Sequence, residues 1–148
     1  MLMLYWIGWV AVGLAAAPLE SWRARTGWGL EMTPGVVPQP TESGLALVGR
    51  GQSLVLENAP ASAPLDAVLE TLWAPFVAAG IAPPVVEDAS CLMVGKPALC
   101  RRARIEVAAG AHLELVAGRP DGADWVVVCM DRGTAKNGVC KDHLELAP

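Results

Sequence analysis

The second half of the chain constrains its fold most. Four stretches, "CLMV", "ALCRRARIEV", "AHLELVAG" and "DWVVVCM", are separated only by Gly-Lys-Pro, Ala-Gly and Pro-Asp-Gly. Ala103, Ile105 and Val107 alternate with Arg102, Arg104 and Glu106, and Leu113 and Leu115 alternate with His112 and Glu114, the two-residue period of a strand with one buried face. Strands joined by such short turns must run antiparallel. "WVVVC" is apolar on both faces and predicts a central strand.

Upstream, Trp28, Leu30 and Met32 alternate with Gly29 and Glu31, predicting a half-buried strand that Pro34-Gly35 stops. "VVPQPTESG" reads as a loop, and "LALVG" and "SLVLE" as a hairpin turning near Gly49 and Gly51. Leu65, Val68, Leu69, Leu72, Trp73 and Phe76 form one apolar stripe at helical spacing. Ser62 is the expected N-cap, Pro64 lies in the first turn, Pro75 distorts the last turn and Gly80 ends the helix. "IAPPVVEDAS" reads as a loop with Glu87 and Asp88 as turn residues, and "VCKDHLEL" as a short C-terminal helix. Helices gathered in two places predict an α+β domain over residues 28–148, with an antiparallel sheet of about six to seven strands, one main helix and a short C-terminal one.

Residues 1–17 carry no charged side chain. At ~1.5 Å per residue they would span about 25 Å as a helix, short of a ~30 Å hydrocarbon core. An apolar run ending in small residues predicts a signal peptide over residues 1–15, cut after Ala15, then an N-terminal segment 16–27 and a periplasmic or secreted product without stable membrane insertion. No Lys or Arg precedes the run, whereas Arg23 and Arg25 follow it. The alternative is therefore an anchor formed by residues 1–17, with the chain a membrane-anchored subunit of an envelope complex.

Cysteine usage bears on the same question. The spacings C-x8-C and C-x10-C contain neither a zinc knuckle nor a C-x-x-C redox motif. A turn centred on Gly95-Lys96 would set Cys91 directly opposite Cys100. Two disulfides, Cys91–Cys100 and Cys129–Cys140, are the favoured arrangement, although four cysteines allow three pairings. Four reduced thiols remain the alternative for a chain that is not exported.

Composition and motifs narrow the function by exclusion. The net charge of −4 with no basic run disfavours nucleic-acid partners. No nucleophile elbow, phosphate loop, zinc-protease motif or dinucleotide fingerprint occurs, so no catalytic residue, cofactor or metal ligand is assigned. His112, beside Glu114, and His143, between Asp142 and Glu145, are the only histidines. Either could serve a small exported hydrolase through a His/carboxylate pair, or contact a ligand or partner. Trp22 and Trp28 either close one end of the core or form an exposed aromatic contact. These features favour a non-catalytic binding or accessory domain with a protein partner in the cell envelope.

The order of patterns resembles the PsbP-like fold, an antiparallel sheet sandwiched by helices, as found in small exported bacterial proteins. The resemblance lies in "GWGLEMTPGVVPQP" as entry strand and loop, "APLDAVLETLWAPF" as helix, "LMVGKPALCRRARIEV" as hairpin, "HLELVAGRPDGADWVVVCM" as final strand pair and "CKDHLEL" as closing helix. It covers about Trp22 to Leu146 and implies a non-enzymatic role. One plant member supports photosystem assembly, and a eukaryotic relative binds a small nuclear-transport GTPase. The four cysteines depart from the family at large and suggest an oxidised branch.

Overall fold

A computed structural model describes residues 19–28, 30, 35–49, 51–93, 96–132, 140 and 144–146. The expected signal peptide lies outside them. The fold is α+β. Helix α1 spans residues 19–26. The elements that follow are β1 (Val37–Pro40), β2 (Gly44–Val48), β3 (Gln52–Asn58), α2 (Leu65–Ala78), β4 (Val86–Met93), β5 (Lys96–Ala108), β6 (Ala111–Arg119), β7 (Trp125–Asp131) and β8 (Leu144–Leu146).

The strands form one eight-stranded sheet in the order β1-β2-β3-β7-β6-β5-β4-β8, every pairing antiparallel. β7 lies between β3 and β6, as its two-sided apolar sequence demands, and Val126, Val127 and Val128 are completely buried. Alternation along each strand divides the core into two layers. One face carries Leu45, Leu47, Leu54, Leu56, Val127 and all four cysteines, and residues Leu19, Trp22, Trp28 and Leu30 pack onto it. The other carries Val55, Ala103, Ile105, Leu115, Ala117, Val126 and Val128, covered by α2 through Leu65 and Leu69. These are called the cysteine face and the helix face below.

Several boundaries differ from the sequence expectation. Trp28 and Leu30 are buried but not in a strand, and Leu30 takes a left-handed φ of 35°. A leucine rarely adopts that region. Here its side chain is fully buried and its carbonyl accepts a 3.0 Å hydrogen bond from Arg23 Nη2. Residues 37–40, expected in a loop, form β1; its prolines are tolerable because β1 is an edge. Glu87 and Asp88 lie inside β4, which begins earlier than its apolar residues suggest because β5 pairs with its whole length.

The main helix starts at Leu65 with Pro64 as N-cap and no side-chain cap, so the expected Ser62 cap is corrected. Gly80, at φ 97°, ends it as expected. The expected C-terminal helix is corrected at its end only: Cys140 is helical, but the last three residues of that stretch are not. Leu144–Leu146 are extended and pair with β4, because a three-residue edge strand satisfies backbone groups that β4 would otherwise leave open. Residues 141–143 lie outside the described part.

Candidate functional site

The four cysteines form two disulfides, Cys91–Cys100 and Cys129–Cys140, with Cα separations of 6.0 and 5.7 Å. All four are buried on one face of the sheet. The pairings match the favoured arrangement, but the register of the first does not. Cys91 pairs with Ala98 and Ala89 with Cys100, so the two cysteines are diagonal neighbours rather than opposite.

Pro97 explains the shift. A turn centred on Gly95-Lys96 would need a closing N–H that Pro97 lacks. Instead Met93 pairs with Lys96 and Pro97 sits opposite Leu92. The last β6 residue paired with β5 is Arg119, opposite Leu99, so β5 has no β6 partner at Pro97 and the missing donor costs nothing on that side.

The second disulfide is part of a larger junction. Cys129 lies on β7 next to Leu54 of β3, and Cys140 comes from the C-terminal segment. Gln52, 3% exposed, donates from Nε2 to Asp131 at 2.9 Å, and its Oε1 accepts from the Cys140 N–H at 3.4 Å. A buried amide must use both its donor and its acceptor. Gln52 does so by joining β3, β7 and the segment that leads to β8.

The aromatic residues singled out in the sequence belong to the core. Trp22 and Trp28 are 5% and 8% exposed and both meet Trp125 edge-on, at centroid distances of 6.3 and 5.2 Å. Closing one end of the core is therefore the role seen. Arg25 lies 4.8 Å over the Trp22 ring and also bonds Asn58 and Asp124, pinning α1 to the end of the sheet. The Arg25 guanidinium holds the Asp124 carboxyl below its usual range.

His112 is half-buried on β6, with Glu106 as its cross-strand partner and Glu114 two residues along on the same face. Its imidazole makes no hydrogen bond to either carboxylate among the described residues. Arg102 and Arg104 share this face, and Arg102 approaches Glu114 at 3.9 Å. The result is a charged sheet surface that extends the apolar cysteine face. His143 lies outside the described residues.

Three polar features were not legible in the sequence. Arg119, 8% exposed, donates from Nη1 to the carbonyls of Ala61 and Ala63 and from Nη2 to Pro60, and its Nε is buried without a partner among the described residues. It fixes the segment that leads into α2. Arg101 donates to Asp66 of α2 at 2.7 Å and to Asp88 of β4, joining helix, β5 and β4. The hydrogen bond from Arg101 holds the Asp66 carboxyl below its usual range. Glu57 is a half-buried carboxylate whose pKa burial raises. No spacing rule marks these residues, because each partner is distant in sequence.

The described residues thus present a sheet with a charged strip and an edge that β8 pairs over only three residues. Among the described residues no helix is long and apolar enough to cross a membrane. No family model, curated protein or solved structure matches the chain.

Proposed function

We propose that this chain is an exported, non-catalytic binding or accessory domain that meets a protein partner in the cell envelope, in the periplasm or outside the cell. The observation that carries the reading is the pair of buried disulfides on one face of the sheet. Structural disulfides persist in oxidising compartments and are rare in the cytosol. The apolar run of residues 1–17 supports export, and the pattern shared with the PsbP-like fold supports a non-enzymatic role. His112 on an open strand surface supports a contact residue better than a general base, which needs an orienting partner within hydrogen-bond reach.

The test is the intact mass of the protein from its native host, with and without reduction and alkylation. The expected chain begins at Ala16 and is four hydrogens lighter than its reduced form. A chain that keeps Met1 and has four free thiols would overturn both export and the oxidised state. Retention of Met1 with both disulfides intact would favour a membrane-anchored subunit, the reading that Arg23 and Arg25 after the apolar run support.

A further inference from the structure

The two edges of the sheet are built differently. β1 carries Pro38 and Pro40, which have no N–H to offer an incoming strand. Among the described residues the opposite edge is only partly covered. β8 pairs with Cys91, Leu92 and Met93 of β4. Along Val86–Ser90, β5 pairs with the inner side of β4, and no strand pairs with its outer side among the described residues. An extended strand paired on one side presents outward N–H and C=O groups at alternate residues.

β8 shows how that edge is used, since a short antiparallel segment already seats on its far end. The side chains indicate what else would fit. Glu87 and Asp88 are exposed, and Asp88 keeps 94% of its side chain in solvent although it accepts a hydrogen bond from Arg101. Val85, directly before the strand, is 79% exposed. A second copy is a poor occupant: antiparallel pairing of two β4 edges about Asp88 would set Asp88 against Asp88, and opposed like charges are destabilising.

We propose that the outer edge of β4, Val86–Ser90, is a docking strand that adds an extended basic segment of a partner protein in line with β8. This deepens the binding reading above and rests on it. In an added strand, side chains alternate between the two faces. A basic residue beside Glu87 and an aliphatic one beside Val86 satisfy both, and Asp88, on the same face as Val86, is already paired with Arg101, so the matching segment alternates Lys or Arg with aliphatic residues. Main-chain hydrogen bonds would supply affinity and this alternation the selectivity.

The test uses the full oxidised chain and an acetylated, amidated Lys-Val-Lys-Val-Lys peptide titrated to millimolar concentration. Backbone amide shifts and hydrogen exchange are read along the chain. The expected result is slowed exchange within Val86–Ser90 and none at β1. Glu87→Lys should weaken binding roughly fivefold, and a Glu-Val-Glu-Val-Glu peptide should then bind better than the lysine peptide. A version of the peptide N-methylated at alternate amides should not bind. Protection confined to another surface, no protection at Val86–Ser90, or equal binding of the N-methylated peptide would overturn the proposal.

Photo-crosslinkers placed at Glu87, Gln39 and Leu99 in the native host separate this failure from that of the wider reading. A partner caught only from Gln39 or Leu99 overturns the edge and leaves the binding domain standing. No crosslink from any position, with no peptide protection, overturns both.

Discussion

Gly118 is where a single atom matters most. It lies on β6 opposite Val127, facing the Cys91–Cys100 bridge. A β-carbon there would stand 2.9 Å from Cys100 Sγ, 3.2 Å from Met93 Sδ and 3.3 Å from Leu144 Cδ1. Met93 can swing aside, but the sulfur is held by its covalent bond. Gly118→Ala is therefore expected to cost about 1–3 kcal/mol, the usual range for overpacking a filled core, measured by urea unfolding of the oxidised protein. In a Cys91→Ala/Cys100→Ala background the obstructing sulfur is gone and the cost should shrink. An unchanged cost there would mean that backbone, not the disulfide, sets the limit. Gly44 shows the other limit, because its added β-carbon would lie within bonding range of the Leu56 carbonyl oxygen. Strand β2 cannot approach β3 this closely with any other residue.

The C-terminal strand is an element that cannot hold itself. β8 has three residues, and Leu144 is its described buried side chain. Three ladder positions cannot offset the entropy of ordering the preceding segment. Cys140 supplies the missing constraint, since its bond to Cys129 anchors the chain four residues before β8 begins. Cys129→Ala/Cys140→Ala should lower stability by about 2.7 kcal/mol on the chain-entropy estimate. It should also raise amide exchange at Cys91–Met93, where β8 pairs, before the rest of the sheet opens. Equal protection of β4 in the variant would show that β8 pairs unaided. Helix α2 is the contrasting element. It lacks a side-chain cap and contains Pro75, yet Leu65 and Leu69 are buried and Arg101 bonds Asp66 in its first turn. Packing and that bidentate contact replace the local signals it lacks.

Across the whole molecule, sheet edges govern how the chain meets its neighbours. An eight-stranded open sheet has two of them, and an unprotected edge invites pairing with another copy. Pro38 and Pro40 guard one, and the carboxylates of Glu87 and Asp88 guard the stretch of β4 that β8 leaves uncovered. Pro38→Val/Pro40→Val should restore two donors to β1 and produce concentration-dependent association in sedimentation velocity, without loss of the monomer fold. A variant that stays monomeric at high concentration would show that the prolines are not the barrier. The core lies in two layers, one on each face of the sheet, with Leu19 and Trp22 of α1 in the same layer as the disulfides.

Patterns local in sequence were sufficient for much of this architecture. Period-two alternation determined β5 and β6, the two-sided apolar run determined β7, and the short turns determined their antiparallel order. The apolar stripe determined α2, and the cysteine spacing favoured the disulfide pairs that occur. Those signals depend on residues a few positions apart, where backbone geometry alone sets which side chains share a face. The tertiary structure decided what depends on remote partners. β1 and the first half of β4 are strands because neighbours supply their hydrogen bonds, although their own residues read as loop. Leu144–Leu146 are extended because the β4 edge takes them up, overriding a helical spacing too short to nucleate alone. The diagonal register of Cys91 and Cys100 follows from Pro97, and the end of β6 at Arg119 lets that proline sit in β5 without leaving a partner unpaired on that side. Arg119, Glu57 and the Arg101 junction were invisible for the same reason: their significance lies in burial and contacts that exist only once the sheet has closed over them.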